Sequence, residues 1–482
     1  MASPNIDFER IPPSLRKPGK FFEYNLKLAV HTLPANEQLV LIIGQRLASN
    51  EAGGSVAALT PTLVFSDAEA ATYFGAGSML HRMVRAAIKA YAYVSLTCLA
   101  LDDATAGVVA TGGVALTGPA SGTGVATLKV GKDLIQVAVD SGDTAAEVAS
   151  ALVDQAAQQP DLPVILTIAG AANAGALTIT ARHKGSLGNA IRLAFASTAS
   201  GLAGVVTAMT GGQVDPDITN ALASVAGAGH TLIITPYTDV DNLVALRTHL
   251  EFTGGPLEQR GASGVYALAG TLASATTLAG SVNHGRISGA LLRGARRLPW
   301  EIAAAYGAVV ASEEDPARPL NTLELTGIDA PDVADRLTRT EQEVLLHNGV
   351  TPLEVGPDGT SVQIVRAITT YTLSDGGVED VSLLDLTTIR TLDYVRKAVR
   401  TRIVLRFPRE KLSTRTPAKV RSEILDVLYK LEELEIVENV AANADGVIVE
   451  RDSQDVNRLD AKIPVDVVNG LHVFAGRIDL IL

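Results

Sequence analysis

The stretch HTLIITPY, residues 230–237, is a short apolar run. A second run, GVYALAG at 264–270, has the same character, and each is followed by a stretch with helical spacing. Alternation of this kind predicts strands paired in parallel with helices laid over them, an α/β layer across residues 218–345.

Working outward from this layer, EQLVLIIGQRL at 37–47 reads as a buried strand ended by Gly44. The segment SDAEAATYFGAGSMLHRMVRAAIKAY is helical from Ser66, broken near Gly75 and Gly77, and resumes at Ser78 with Leu80, Val84 and Ile88 on one face. From about 107 to 208 the chain turns Gly-, Thr- and Val-rich, with short strands and one helix opened by Thr144 and Glu147 as a capping box. That composition predicts a small β-rich domain inserted into a larger one.

Beyond 347, SVQIVRAITTYT reads as a strand and TTIRTLDYVRKAVRTRIV as an amphipathic helix. TPAKVRSEILDVLYKLEEL is a further helix with Thr416 as N-cap and Pro417 at its first position. PVDVV and LHVFAGRIDLIL are expected to form a hairpin through Asn469-Gly470. The predicted organisation is an N-terminal arm and strand at 1–31, core at 32–106, a β-rich insertion at 107–208, core again at 209–346, and a C-terminal domain at 347–482. The fold class is mixed α+β and α/β, multidomain.

Both ends alternate cleanly. FFEYNLKLAV places Phe22, Tyr24, Leu26 and Leu28 on one face, and the last stretch does the same with Phe474, Ile478, Leu480 and Leu482. Strands at chain ends offer open edges, which either close on each other within one subunit or recruit another chain.

The chemistry is sparse. The eight histidines form no HExxH and no close pair, and with Cys98 the single cysteine a zinc site of the usual ligand spacing is not expected and an intrachain disulfide is excluded. Cys98 is expected to pack as a small hydrophobe. GVATLKVGKD has the look of a phosphate loop, but Asp133 stands where Ser or Thr should bind magnesium. No cofactor is expected. Asp239 and His230 are candidate polar groups for an enzyme crevice at the strand ends of 218–345, the alternative reading, but no constellation joins them.

The net charge of −12 argues against a generic nucleic-acid binder. No run reaches the roughly 18 apolar residues of a membrane helix, and the first twenty residues lack the apolar core of a signal peptide. The chain is expected to fold in a reducing cytoplasm. One charge feature is unusual: Arg390, Arg396, Lys397 and Arg400 share a face beside Leu392, Val395 and Val399. This is either a solvated helix face or a docking surface for an acidic partner. No aromatic platform is interleaved with the charge, which disfavours nucleic acid.

Taken in order, VLIIGQR, TPTLVFSDAEAATYFGAGSMLHRMVRAA, HKGSLGNAIRLAF and RTPAKVRSEILDVLYKLEELEIVENV resemble segments of the tail sheath proteins of contractile-tailed bacteriophages, in the Mu-like branch. The likeness runs over nearly the whole chain. It implies an α/β sheath core with an inserted outer domain and strand-exchanging N- and C-terminal arms. It further implies hexameric rings stacked around a tail tube, which contract on a baseplate signal and drive the tube through the host envelope. The implied partners are neighbouring subunits, the tube protein, and baseplate and terminator proteins, with no nucleic acid and no membrane insertion. The implied place is the virion tail, after assembly in the bacterial cytoplasm. The resemblance assigns Phe22, Tyr24, Leu26, Leu28, Phe474, Ile478, Leu480 and Leu482 to strand exchange, and Arg390, Arg396, Lys397 and Arg400 to an acidic tube surface. Another self-assembling shell protein is the remaining alternative.

Overall fold

A computed structural model describes residues 16–22, 33–48, 53–170 and 175–481. The chain forms two compact units. One holds Asn36–Asp393 and the segment from Asn469 onward, and the other holds Tyr394–Val468 with the described residues before Asn36.

The first unit opens with β1 (Leu39–Gln45), β2 (Thr62–Val64), α1 (Asp67–Phe74), α2 (Met79–Ala90) and β3 (Ser95–Leu101). Ser66 caps α1 by accepting from Glu69 N at 3.2 Å, and Ser78 caps α2 by accepting from His81 N at 3.1 Å. Gly75 and Gly77 turn the chain between the two helices with φ of 90° and 77°. Gly44 does not end β1, which runs on to Gln45. It lies under α2 instead, where an added Cβ would sit 3.2 Å from Met83 Sδ, so the glycine permits close helix-on-strand packing. Cys98 is buried in β3, where burial pushes its thiol pKa up.

Next come β4 (Val109–Thr117), β5 (Gly124–Val130), β6 (Asp133–Val139), α3 (Ala145–Ala157), β7 (Val164–Ile168), β8 (Ala176–Lys184), β9 (Leu193–Ser197) and β10 (Ala203–Thr210). They build two antiparallel sheets, in the orders β10-β4-β8-β7 and β6-β5-β9. Thr144 and Glu147 make the reciprocal capping box at the start of α3.

The unit continues with α4 (Thr219–Val225), β11 (Leu232–Ile234), α5 (Val240–Gly254), β12 (Ser263–Leu268), α6 (Leu272–Val282), β13 (Ile287–Leu291), α7 (Pro299–Ser312), α8 (Arg339–His347), β14 (Val350–Val355) and β15 (Val362–Ile364). An eight-stranded sheet of order β15-β14-β13-β12-β11-β1-β3-β2 results. Its inner strands pair in parallel, and only β15 and β2, at the edges, are antiparallel. Buried on all sides, the inner strands read as continuous apolar runs rather than alternations. Of the strand expected over 361–372, only Val362–Ile364 forms. Past it the Ile368 amide donates to Thr351 Oγ1 at 3.0 Å, so a buried hydroxyl takes the place of a ladder partner.

α9 (Leu386–Arg406) contains the boundary between the units. The second unit then holds α10 (Thr416–Glu433), β16 (Val437–Glu438), α11 (Val440–Asn443), β17 (Ile448–Arg451), β18 (Leu459–Lys462) and β19 (Asp466–Val467). Thr416 is the first residue of α10 rather than its cap, a position Arg415 takes. The Thr416 hydroxyl is used elsewhere, donating to Lys411 O at 2.7 Å and accepting from Ser413 N at 2.9 Å.

One half-buried imidazole gives the first unit an acid-sensitive seam. His284 Nδ1 accepts from Arg286 N at 3.3 Å, so protonation would forfeit that bond. Burial, followed by the charges of Arg286 and Arg247, holds its pKa down to about 4. Between the unfolded value of about 6.5 and the folded one, the unfolded chain binds the extra proton. Stability present above pH 6.5 is therefore lost as pH falls toward 4, by on the order of 2 kcal/mol. Urea melts of the parent and His284→Gln across this range check it, the variant being expected to show the shallower pH slope. Equal slopes would contradict the assignment.

Candidate functional site: the terminal segments and a basic face

The predicted hairpin through Asn469-Gly470 does not form. β19 pairs with β16, in the register Val437 with Val467 and Glu438 with Asp466, and residues 468–481 join no sheet. Gly470 lies against Pro319, where an added Cβ would meet Pro319 Cγ at 2.7 Å. His472 is the last inward-turned side chain, with Nε2 3.5 Å from Asp385 Oδ1. Asp385 is itself held by both arms of Arg366, at 2.8 and 2.7 Å. Burial, then the Arg366 charge, lowers the His472 pKa.

Beyond this root the segment is extended and exposed. Phe474 is 88% accessible, Ile478 99% and Leu480 84%, with Leu471, Val473 and Ile481 also open to solvent. Arg477 and Asp479 pair with each other at 2.7 Å. Covering a large apolar side chain is worth about 1.5–3 kcal/mol, so this row is costly to leave in water. Leu482 lies outside the described residues. At the other end Phe22 is 87% exposed, while Tyr24, Leu26 and Leu28 also lie outside the described residues.

The second unit carries two ribbons of only two strands each, β16–β19 and β17–β18. Such ribbons are marginal alone, and their outer edges present unpaired backbone groups.

The four cations expected on one face of α9 do not share it. The Arg390 guanidinium is turned inward, donating to Glu313 O at 2.6 Å, with its other terminal nitrogen buried and without a hydrogen-bond partner. Burial lowers its pKa to about 10. Helical spacing could not reveal this, because a carbonyl at the end of α7, remote in sequence, receives the side chain. Arg396 is half-buried, whereas Lys397 and Arg400 are exposed, Lys397 Nζ donating to Ala35 O at 2.8 Å. Further along α9, Arg402 is buried and joins Glu423 at 3.1 Å and Asp426 at 2.5 Å on α10. Arg406 approaches Glu423 at 3.4 Å. The spacing of Glu423 and Asp426 on one face of α10 was the available signal for this clamp.

The crevice reading fails on geometry. Asp239 caps α5, accepting from Asn242 N at 2.9 Å, and lies beyond the C-terminal end of β11, whereas His230 precedes its N-terminal end. Where β13 and β14 end, a cavity of about 120 Å³ is lined by Arg293 and Arg336 among others. Arg293 is spent on Glu341, whose pKa it lowers to about 2, and Arg336 donates to the carbonyls of Pro331 and Gly359. In the phosphate-loop look-alike, Lys132 pairs with Asp329 at 2.5 Å and Asp133 with Arg82 at 2.8 Å. Among the described residues no His, Cys, Asp and Glu group could hold a metal, and no helix is long and apolar enough to cross a membrane.

Residues 211–370 match the family model of the phage tail sheath protein central domain, and residues 378–481 that of the phage tail sheath C-terminal domain. The Mu-like prophage FluMu tail sheath protein of Haemophilus influenzae is 35% identical over 99% of this chain and all of its own length. Among solved structures, the sheath tail protein of Desulfitobacterium hafniense superposes with a TM-score of 0.52 at 13% identity, covering 94% of this chain and 97% of its own. The sheath tail protein of Listeria innocua gives 0.51 at 15% identity, covering 92% and 94%.

Proposed function

This chain belongs to the phage tail sheath family, and on that premise we propose that its copies stack as hexameric rings around a tail tube and contract to drive the tube through the host envelope. It is a structural protein of a contractile phage tail, not an enzyme. The observation that carries the proposed mechanism is the extended, solvent-exposed apolar row of Phe474, Ile478 and Leu480. In this reading the row adds as a strand to a neighbouring copy, where backbone bonds give strength and alternating side chains set register. Phe22, with Tyr24, Leu26 and Leu28, does the same at the other end. The ribbons β16–β19 and β17–β18 are suitable acceptors because each gains stability from added strands. Residues 107–208 form the outer wall, and baseplate and terminator proteins close the two ends of the stack.

The tube contact narrows to Arg396, Lys397 and Arg400, with Arg390 withdrawn. Exposed ion pairs contribute about 0.2–1 kcal/mol each and weaken with salt, which suits a contact that contraction must break. Co-sedimentation with isolated tail tubes tests the reading, with electron microscopy of the pellets. The parent should coat tubes as stacked rings. Arg396→Glu with Arg400→Glu should lower coating about tenfold, more steeply as salt rises. Equal coating by parent and variant at every salt concentration would remove the charged contact.

A further inference from the structure

A second basic surface lies where α9 gives way to α10. From Arg396 to Arg421 the chain carries ten Lys and Arg against one carboxylate, Glu410, within a protein of net charge −12. Arg402 and Arg406 are consumed by Glu423 and Asp426, and Arg421 by the carbonyls of Val447 and Ala444. Arg409, Lys411 and Arg415 in the connecting corner are exposed and make no ion pair among the described residues. Beside them in sequence Val404 and Leu405 are exposed as well. The corner is rigid, pinned by the Thr416 hydroxyl bonds to Lys411 O and Ser413 N and by Arg451 donating to Leu412 O.

The first unit carries the opposite chemistry in LSDGGVEDV, residues 373–381. Asp375 and Glu379 are exposed there, interleaved with exposed Val378 and Val381. This turn is also held firmly. Ser374 N donates to Val378 O at 2.8 Å, Gly377 takes a φ of 73°, and Asn283 Oδ1 receives the amides of Thr372 and Leu373 at 2.9 and 3.1 Å. Two preorganised surfaces of opposite charge, each with apolar residues among the charges, lose little conformational freedom on meeting.

We propose that the basic corner of one copy docks on the 373–381 turn of another copy, a second contact between subunits separate from any strand exchange. A contact between different patches is heterologous, so it propagates into a ring or a helix rather than closing as a dimer. The inference rests on the reading that copies of this chain assemble around a tube. Its charges should also make the contact salt-sensitive, as strand addition alone is not.

The test uses two full-length variants and polymer mass measured by light scattering and electron microscopy. One is Arg409→Glu with Lys411→Glu, the other Asp375→Lys with Glu379→Lys. Each alone opposes like charges between copies and should polymerise about tenfold less than the parent, a loss of about 1.4 kcal/mol. An equimolar mixture should recover most of the parental yield, because each variant's altered patch now matches the other's. Parental behaviour by either variant alone, or a mixture no better than its components, overturns the contact while leaving the sheath reading intact. A parent that forms no polymer even at low ionic strength overturns both, and the parent arm reads that separately.

Discussion

A chain truncated after Gly470 should remain folded and fail to form the rings and tubes of the full-length protein. The removed residues contribute little to their own unit: among the described ones His472 alone is turned inward, and the apolar side chains around it are exposed. In the proposed assembly their value lies in being covered by another copy. Three side chains at about 1.5 kcal/mol each give roughly 4.5 kcal/mol, over a thousandfold in association. Sedimentation velocity and electron microscopy would show monomers in place of polymers, while the melting temperature stays near the parent's. Ile478→Asp with Leu480→Asp should reproduce the loss without shortening the chain. Normal tubes from either protein would dismiss strand donation at this end.

The second large effect is on stability. Arg82 of α2 is buried, with Nη2 2.9 Å from Glu301 on α7 and Nη1 2.8 Å from Asp133 at the start of β6. Its Nη1 also donates to Asp161 O at 2.7 Å. Burial works against the guanidinium charge, yet Glu301 and Asp133 outweigh it and raise the pKa. Arg82→Met leaves the buried Glu301 carboxylate with the Leu298 amide at 3.1 Å and the Arg297 guanidinium at 3.8 Å as its partners among the described residues, and should cost about 3–5 kcal/mol. Adding Glu301→Gln should return part of that loss, because the stranded charge is then gone. Thermal and urea melts would read both. A loss below about 1 kcal/mol for the single variant would mean that water or a rearranged neighbour compensates the carboxylates.

These two features stood differently in the sequence. The apolar side chains of the C-terminal segment were legible because period-two alternation is local, and Phe474, Ile478 and Leu480 lie exposed, as do Val473 and Ile481 beside them. The parallel layer was legible for a related reason, since short apolar runs followed by helical stretches leave few topologies. Ser66, Ser78, Thr144 and Glu147 announced their helices through capping chemistry that needs only three or four residues. Arg82 and Arg390 were illegible, since Glu301 and the Glu313 carbonyl lie 219 and 77 positions away, whereas for Arg402 the paired carboxylates Glu423 and Asp426 on α10 were the one local signal. A helical wheel assigns a face but cannot know which face another element covers. The Asn469-Gly470 turn misled for the opposite reason: its local propensity is real, but β16 offered β19 a partner.

The anchoring of His472 beside Asp385 also sets a leash length. Leu480 lies eight residues beyond that anchor, and an extended chain spans at most about 3.3–3.6 Å per residue. A neighbour that receives Leu480 must therefore present its edge within roughly 28 Å of His472. If the strand is donated as proposed, any lattice these subunits build, long or shortened, has to keep each donor and acceptor inside that radius. Rings linked in that way could turn and close ranks, but they could not drift apart.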